Sequence, residues 1–331
     1  MKRILSLILA LLLIALPLAA CSAEPEEEGY FTRTKRDSRG RLSVSLARTD
    51  KDGAPLSEKE LDKIYGEACD AFSAAYDFLS TDAGSGISAI NAPVSTVLDI
   101  DSTLISEIEY AFSLSESLDG LYEPCGGALT ALLEKSDSPK EEELSEALSH
   151  IGSAHFELSE TSVNKDDPLA KVDLGALCDG YALAAACEHL KKSVCAYGTV
   201  TFNGIAGVFG KKPEGEPFSV EIGNGEDGIF NITDGYVALV SKDFGTSYDF
   251  SDGILDTDVS HIAVYSADAR SAAVIASVGY AYGKDKILSL YEKEGISFEA
   301  VILEKDGKET LTKKAKSGTL YTPITTAEDE A

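Results

Sequence analysis

The chain has no tryptophan, one methionine and four histidines in 331 residues. His150, His155, His189 and His261 are scattered, and none stands beside a nucleophile motif. No HExxH, Walker or Rossmann glycine pattern occurs, which removes the metalloprotease, P-loop and dinucleotide-fold readings. Basic residues are scarce, 29 against 56 acidic, for a formal net charge of −27. Such a field repels nucleic acid and anionic surfaces, so nucleic-acid binding is rejected. It also makes any phosphate-bearing ligand depend on local basic groups, helix N-termini or a metal. No two of the six cysteines are spaced CxxC, which argues against a structural zinc or redox motif.

Only one long apolar run is present, Ile4 to Leu18, after Lys2 and Arg3. It is too short for a permanent spanning helix and ends in Leu18-Ala19-Ala20-Cys21. An ordinary signal peptide ending near a cysteine is the plainer account. Small residues leading into Cys21 where the run stops favour lipidation of that cysteine. Residues 22–29, SAEPEEEG, read as a solvated acidic tether. The expected organisation is therefore a lipoprotein signal peptide (1–20), a tether with lipidated Cys21 (21–30) and one folded domain (31–331). Two or more acyl chains suffice for stable anchoring on the extracytoplasmic side of a membrane. The remaining cysteines, Cys69, Cys125, Cys178, Cys187 and Cys195, are odd in number and read as small buried apolar residues.

The 44% apolar content supports a real core. Arg41–Arg48 alternates as a strand, and 56–79 carries a helical apolar face. A Gly/Ser-rich stretch at 80–88 breaks the pattern before a helix capped by Ser102 or Thr103 and closed near Gly120. Short helices are expected at 126–133 and 139–151, and a longer one from about Gly175 to Leu190. Strands are expected near 155–158, 171–174, 193–202, 218–222, 235–241 and 262–265. Helices at 270–282 and 285–293 precede a hairpin, 301–304 with 309–312, around Lys305-Asp306-Gly307. Mixed runs without a βαβ rhythm indicate the α+β class.

Val172-Asp173-Leu174-Gly175-Ala176-Leu177-Cys178-Asp179-Gly180-Tyr181-Ala182 resembles the signature of the ApbE-type FAD:protein FMN transferases, an Asp-Leu-Gly-Gly turn opening a Lys-Gly-Tyr-Ala helix. Phe78–Asn91, Ser117–Leu129, Val237–Phe244 and Val264–Gly283 resemble further segments of that family in the same order. The resemblance implies an α+β, T-fold-like single domain of mixed sheets and packed helices. It also implies an exported enzyme that uses magnesium and FAD to attach FMN to a Ser or Thr of an exported flavoprotein, releasing AMP. By correspondence, Tyr248 and Asp249 take the catalytic loop; Asp173, Gly175, Asp179 and Gly204 take the flavin nucleotide. Cys178, through its carbonyl, and Ser277 take the metal.

Several positions depart from the family pattern. Asp179 stands where the family has lysine, and Ala273 where it has a carboxylate metal ligand. The flavin turn reads Thr201-Phe202-Asn203-Gly204-Ile205, and the loop Thr246–Gly253 has neither the family's histidine nor its proline. An accessory binding module that keeps the fold without the chemistry is the alternative expectation. Asp249, Asp252, Asp256 and Asp258 crowd one loop as a replacement metal site or, more simply, a solvated acidic turn. Asp99 and Asp101 read as helix caps, His261 as a structural histidine, and Asp173 as a cap of the helix near Gly175.

Overall fold

The computed structural model describes residues 29–136, 138–222, 227–242, 249–250, 255 and 257–323. Cys21, Tyr248, Asp252 and Asp256 lie outside these described residues. The described residues open with a hairpin, β1 (Tyr30–Asp37) and β2 (Gly40–Ala47), followed by the long helix α1 (Glu58–Leu79). Ser57 and Glu60 form a capping box at its start: the Ser57 N–H donates to Glu60 Oε2 at 2.8 Å. Then come α2 (Gly86–Ile90), β3 (Thr96–Val97), α3 (Ser102–Ser117), α4 (Gly127–Leu133) and α5 (Glu141–Ser149). Asp101, rather than Ser102 or Thr103, caps α3, its Oδ1 accepting from the Thr103 N–H at 2.7 Å.

A small hairpin, β4 (Phe156–Ser159) and β5 (Ser162–Lys165), pairs with β3. Helix α6 (Ala176–Lys192) leads into β6 (Tyr197–Phe202) and β7 (Ile205–Gly210). The remaining elements are β8 (Phe218–Ile222), β9 (Gly228–Ile232), β10 (Tyr236–Ser241), β11 (Val259–Ser266), α7 (Ala269–Tyr291), β12 (Glu299–Glu304), β13 (Glu309–Leu311) and β14 (Tyr321–Thr322). The two helices expected at 270–293 are α7, broken at Gly283, whose φ of 81° is open to glycine.

Eight strands form one antiparallel sheet in the order β1-β2-β6-β7-β10-β11-β12-β13. Its alternating side chains serve two cores. Ile262 and Val264 of β11, and Ala300 and Ile302 of β12, face the helical layer of α1, α6 and α7. Ala263 and Val301, between them, face a second cluster built on Phe218, Phe230 and Tyr321 of the sheet β14-β9-β8. Burial on both faces explains why β7 and β12 lack an apolar–polar alternation. The five described cysteines are all buried and unpaired. No described helix is long and apolar enough to cross a membrane.

The strand expected at 171–174 does not form. Lys171 makes only an isolated bridge to Gly126. Side chains satisfy the segment's backbone instead: the Val172 N–H donates to Asn91 Oδ1, and Asn91 Nδ2 donates to the Val172 carbonyl, each at 2.8 Å. Lys165 Nζ donates to the Ala92, Pro168 and Ala170 carbonyls nearby.

Candidate functional site

A cavity of about 450 Å3 opens where the β1–β2 hairpin tip, the end of α1, the start of α6 and the middle of α7 converge. That volume is ordinary for a small-molecule site, roughly 300–1,000 Å3. Arg39, Tyr76, Glu123, Asp173, Asp179 and Ser277 are among its walls, with Gly175, Cys178, Asn203 and Phe250. A second pocket of about 390 Å3 adjoins it, sharing Thr130, Glu134 and Asp173 and including Lys171.

The turn 173–176 is fixed from both sides. The Asp173 N–H donates to the Pro124 carbonyl at 2.9 Å, and Tyr122 Oη donates to the Leu174 carbonyl at 3.0 Å. Thr130 Oγ1 donates to Asp173 Oδ2 at 2.6 Å, and the Gly175 N–H donates to Asp173 Oδ1 at 3.0 Å. Asp173 thus closes the turn before the helix rather than capping it. Gly175 is the N-cap of α6, with φ 50° and ψ −123° and no side-chain cap bond.

Asp179 lies one turn into α6, partly buried. Burial raises its pKa to about 7, the hydrogen bond from Asn203 opposes the rise, and the Asp173 charge adds to it. Burial likewise pushes the Cys178 thiol well above its usual value. Its Sγ points to the Tyr76 carbonyl at 3.6 Å. Burial also raises Glu123, while the Cys125 N–H bonds its carboxylate.

Asn203 and Gly204 form the two-residue turn between β6 and β7, with φ of 43° and 84°. Asn203, not Gly204, reaches the cavity wall. Its Nδ2 donates to the Arg39 carbonyl at 3.1 Å, so one amide joins the β1–β2 hairpin to Asp179. Phe250 lies over Gly126, where an added Cβ would stand 2.2 Å from its ring. Asp249 precedes it in the chain, outside the wall residues, and Asp258 is exposed beside Gly283.

The implied magnesium ion is tested by its donors. Ala273 is buried on α7 and offers no oxygen. The Cys178 carbonyl and the Ser277 hydroxyl are neutral donors, whereas magnesium favours a carboxylate among near-octahedral oxygens. Among the described residues, no three His, Cys, Asp or Glu side chains are grouped to hold a metal. The residues present do not fit magnesium.

Arg39 and Tyr76 lie in no family segment and were missed by sequence reasoning, while Asn203 and Phe250 lie in the flavin turn and the 246–253 loop without being singled out as site residues. The Asn203-Gly204 dipeptide is a hairpin-turn signal that would have placed the first polar residue of that turn near the site. No local signal marks Arg39 or Tyr76.

The sequence model described as the ApbE family matches residues 57–302. The chain belongs to the ApbE family. Its fold is shared by solved ApbE structures of low identity. The apo flavinyl transferase ApbE of Pseudomonas stutzeri aligns with a TM-score of 0.73 at 18% identity, over 87% of this chain and 97% of that one. The flavin transferase ApbE of Vibrio cholerae gives 0.73 at 17%, over 87% and 99%. The ApbE protein of Thermotoga maritima gives 0.74 at 21%, over 87% and 98%. No curated protein matches the sequence.

Proposed function

We propose that this member of the ApbE family is an exported, lipid-anchored flavin transferase that moves FMN from FAD to a Ser or Thr of an exported flavoprotein. In that reaction the acceptor hydroxyl oxygen bonds the FMN phosphorus and loses its proton. The bond from that phosphorus to the AMP moiety breaks, and AMP leaves. The observation that supports the reading is convergence: the family segments at 117–129, 172–182 and 264–283, far apart in sequence, contribute Tyr122, Asp173, Asp179 and Ser277 to one cavity. Asp173 and Gly175 shape the turn beneath the ligand, Asn203 ties the hairpin over it, and Tyr76 and Phe250 supply aromatic wall.

A second reading is a binding module that holds a flavin without transferring it. Ala273 and Asp179 favour it, because the first removes a charged metal ligand and the second adds negative charge near the phosphates. One experiment separates the two. The chain from Ser22 onward is titrated with FAD, with and without magnesium, following flavin fluorescence and AMP release in the presence of a Ser/Thr acceptor protein. AMP release with flavin on the acceptor supports transfer. Binding without AMP supports the module, and no binding at high micromolar FAD overturns both. Anchoring through Cys21 is checked by Cys21→Ala, which is expected to release the chain from the membrane fraction.

A further inference from the structure

The cavity wall carries four carboxylates, Glu123, Glu134, Asp173 and Asp179, and a single cationic side chain among the described residues, Arg39. A phosphate entering such a site gives up its hydration and needs a fixed cation with aimed donors to replace it. Arg39 is the fixed cation at this wall, its fork held by residues beside the cavity. Its Nη2 and Nε donate to Asp37 Oδ2 at 2.7 and 3.2 Å, and Nη2 reaches Ser73 Oγ at 3.3 Å. Nη1 donates to Asp77 Oδ1 at 2.9 Å. These bonds use four of the five N–H groups of a guanidinium and leave one on Nη1.

The two carboxylates hold the fork unequally. The Asp37 side chain is 32% exposed and takes two bonds, whereas the Asp77 side chain is 66% exposed and takes one. An incoming anion can therefore displace Asp77 into water and take its Nη1 donor, while Asp37 holds the rest of the fork in place. The Arg39 guanidinium also lies 5.6 Å from the Tyr76 ring centroid, which restricts its plane further. The backbone of Arg39 is tied by Asn203, the residue that also bonds Asp179. The other nearby cation, Lys171, lines the adjoining pocket beyond Thr130 and Asp173.

We propose that Arg39 is the phosphate-recognition residue of this cavity, and that a phosphate-bearing flavin binds here without a divalent metal. The inference rests on the flavin reading above and names the group that meets the ligand's charge where magnesium does not fit.

The test uses the full chain in detergent, titrated with riboflavin, FMN and FAD in EDTA and in magnesium. The variants are Arg39→Gln, Asp77→Asn and Lys171→Gln. The wild type is expected to bind FMN at least about tenfold more tightly than riboflavin, equally in EDTA and magnesium. Arg39→Gln is expected to erase that preference while riboflavin affinity stays. Asp77→Asn, which removes the charge that competes with the anion for Nη1, is expected to widen it. Thermal melting reports whether Arg39→Gln folds; where it does not, the magnesium comparison and Asp77→Asn decide.

Equal affinity for riboflavin and FMN, a tenfold tightening by magnesium, or a narrower preference in Asp77→Asn would overturn the proposal. Loss of the preference in Lys171→Gln alone would place the anion in the adjoining pocket and overturn it too. If no flavin binds, inorganic pyrophosphate is titrated instead. Arg39-dependent pyrophosphate binding would keep the anion site and end the flavin reading, and no binding would end both.

Discussion

Asn91 grips Val172 at both backbone groups, 2.8 Å to the N–H and 2.8 Å to the carbonyl, in place of a partner strand. Asn91→Ala leaves both groups of the buried Val172 unpaired, at about 2–4 kcal/mol. The turn at Asp173–Gly175 hangs on this segment, so ligand affinity should fall with stability. Urea unfolding and flavin titration on the same variant check this; unchanged stability would mean another group satisfies Val172.

The pH dependence of Asp179 has a definite sign. Its folded pKa, about 7, is raised above that of the unfolded chain, so its stabilising contribution is complete below about pH 4 and is lost as pH rises through 7. Asp179→Asn removes the charge that folding disfavours. The variant is expected to exceed wild type by about 1–3 kcal/mol at pH 8, with the difference shrinking toward pH 4. Urea unfolding at pH 4.5 and 8 measures it, and a gain that is larger at pH 4.5 would contradict the burial argument.

Ala273→Asp restores the acid that the family carries on α7. The position is buried, so in EDTA the variant is expected to melt below wild type. Millimolar magnesium is then expected to raise the melting temperature of the variant and to leave wild type unchanged. A magnesium shift in wild type would show that other groups already hold the ion.

Gly180 lets α6 and α7 touch. A Cβ there would stand 2.5 Å from the Ala269 carbonyl oxygen, a backbone atom that cannot swing aside. Gly180→Ala is expected to cost about 1–3 kcal/mol through displacement of α7, despite the better helix propensity of alanine. Chemical denaturation decides it, and a stabilised variant would refute the tight crossing.

Much of the fold was legible because its signals are local. The capping box at Ser57 and Glu60, the alternation of β2, and the Asp306-Gly307 turn each announce themselves within a few residues. β8 was read at its observed bounds, Phe218–Ile222. β1 was missed because Arg33, Lys35 and Arg36 interrupt its pattern: only Phe31 is buried, and Arg33 and Lys35 are taken up by Asp62 and Ser73 of α1. The strand read at 171–174 failed for the converse reason. Its residues suit an extended backbone, but the partner is the side chain of Asn91, 81 residues away. Asp173, Gly175, Cys178 and Asp179 of the family signature and Ser277 of the 264–283 segment all line the cavity. Arg39 and Tyr76 meet them only through tertiary packing of the hairpin on α1, which no spacing in the sequence reveals.

The five described cysteines, all buried, share one consequence for thiol chemistry. Burial pushes every one of their thiols upward, Cys187 to about 12, so at neutral pH the folded protein presents almost no thiolate. Their sulfur is then open to disulfide exchange or peroxide only while the chain is unfolded. Burial in the folded core, rather than pairing, is what keeps these five thiols unreactive.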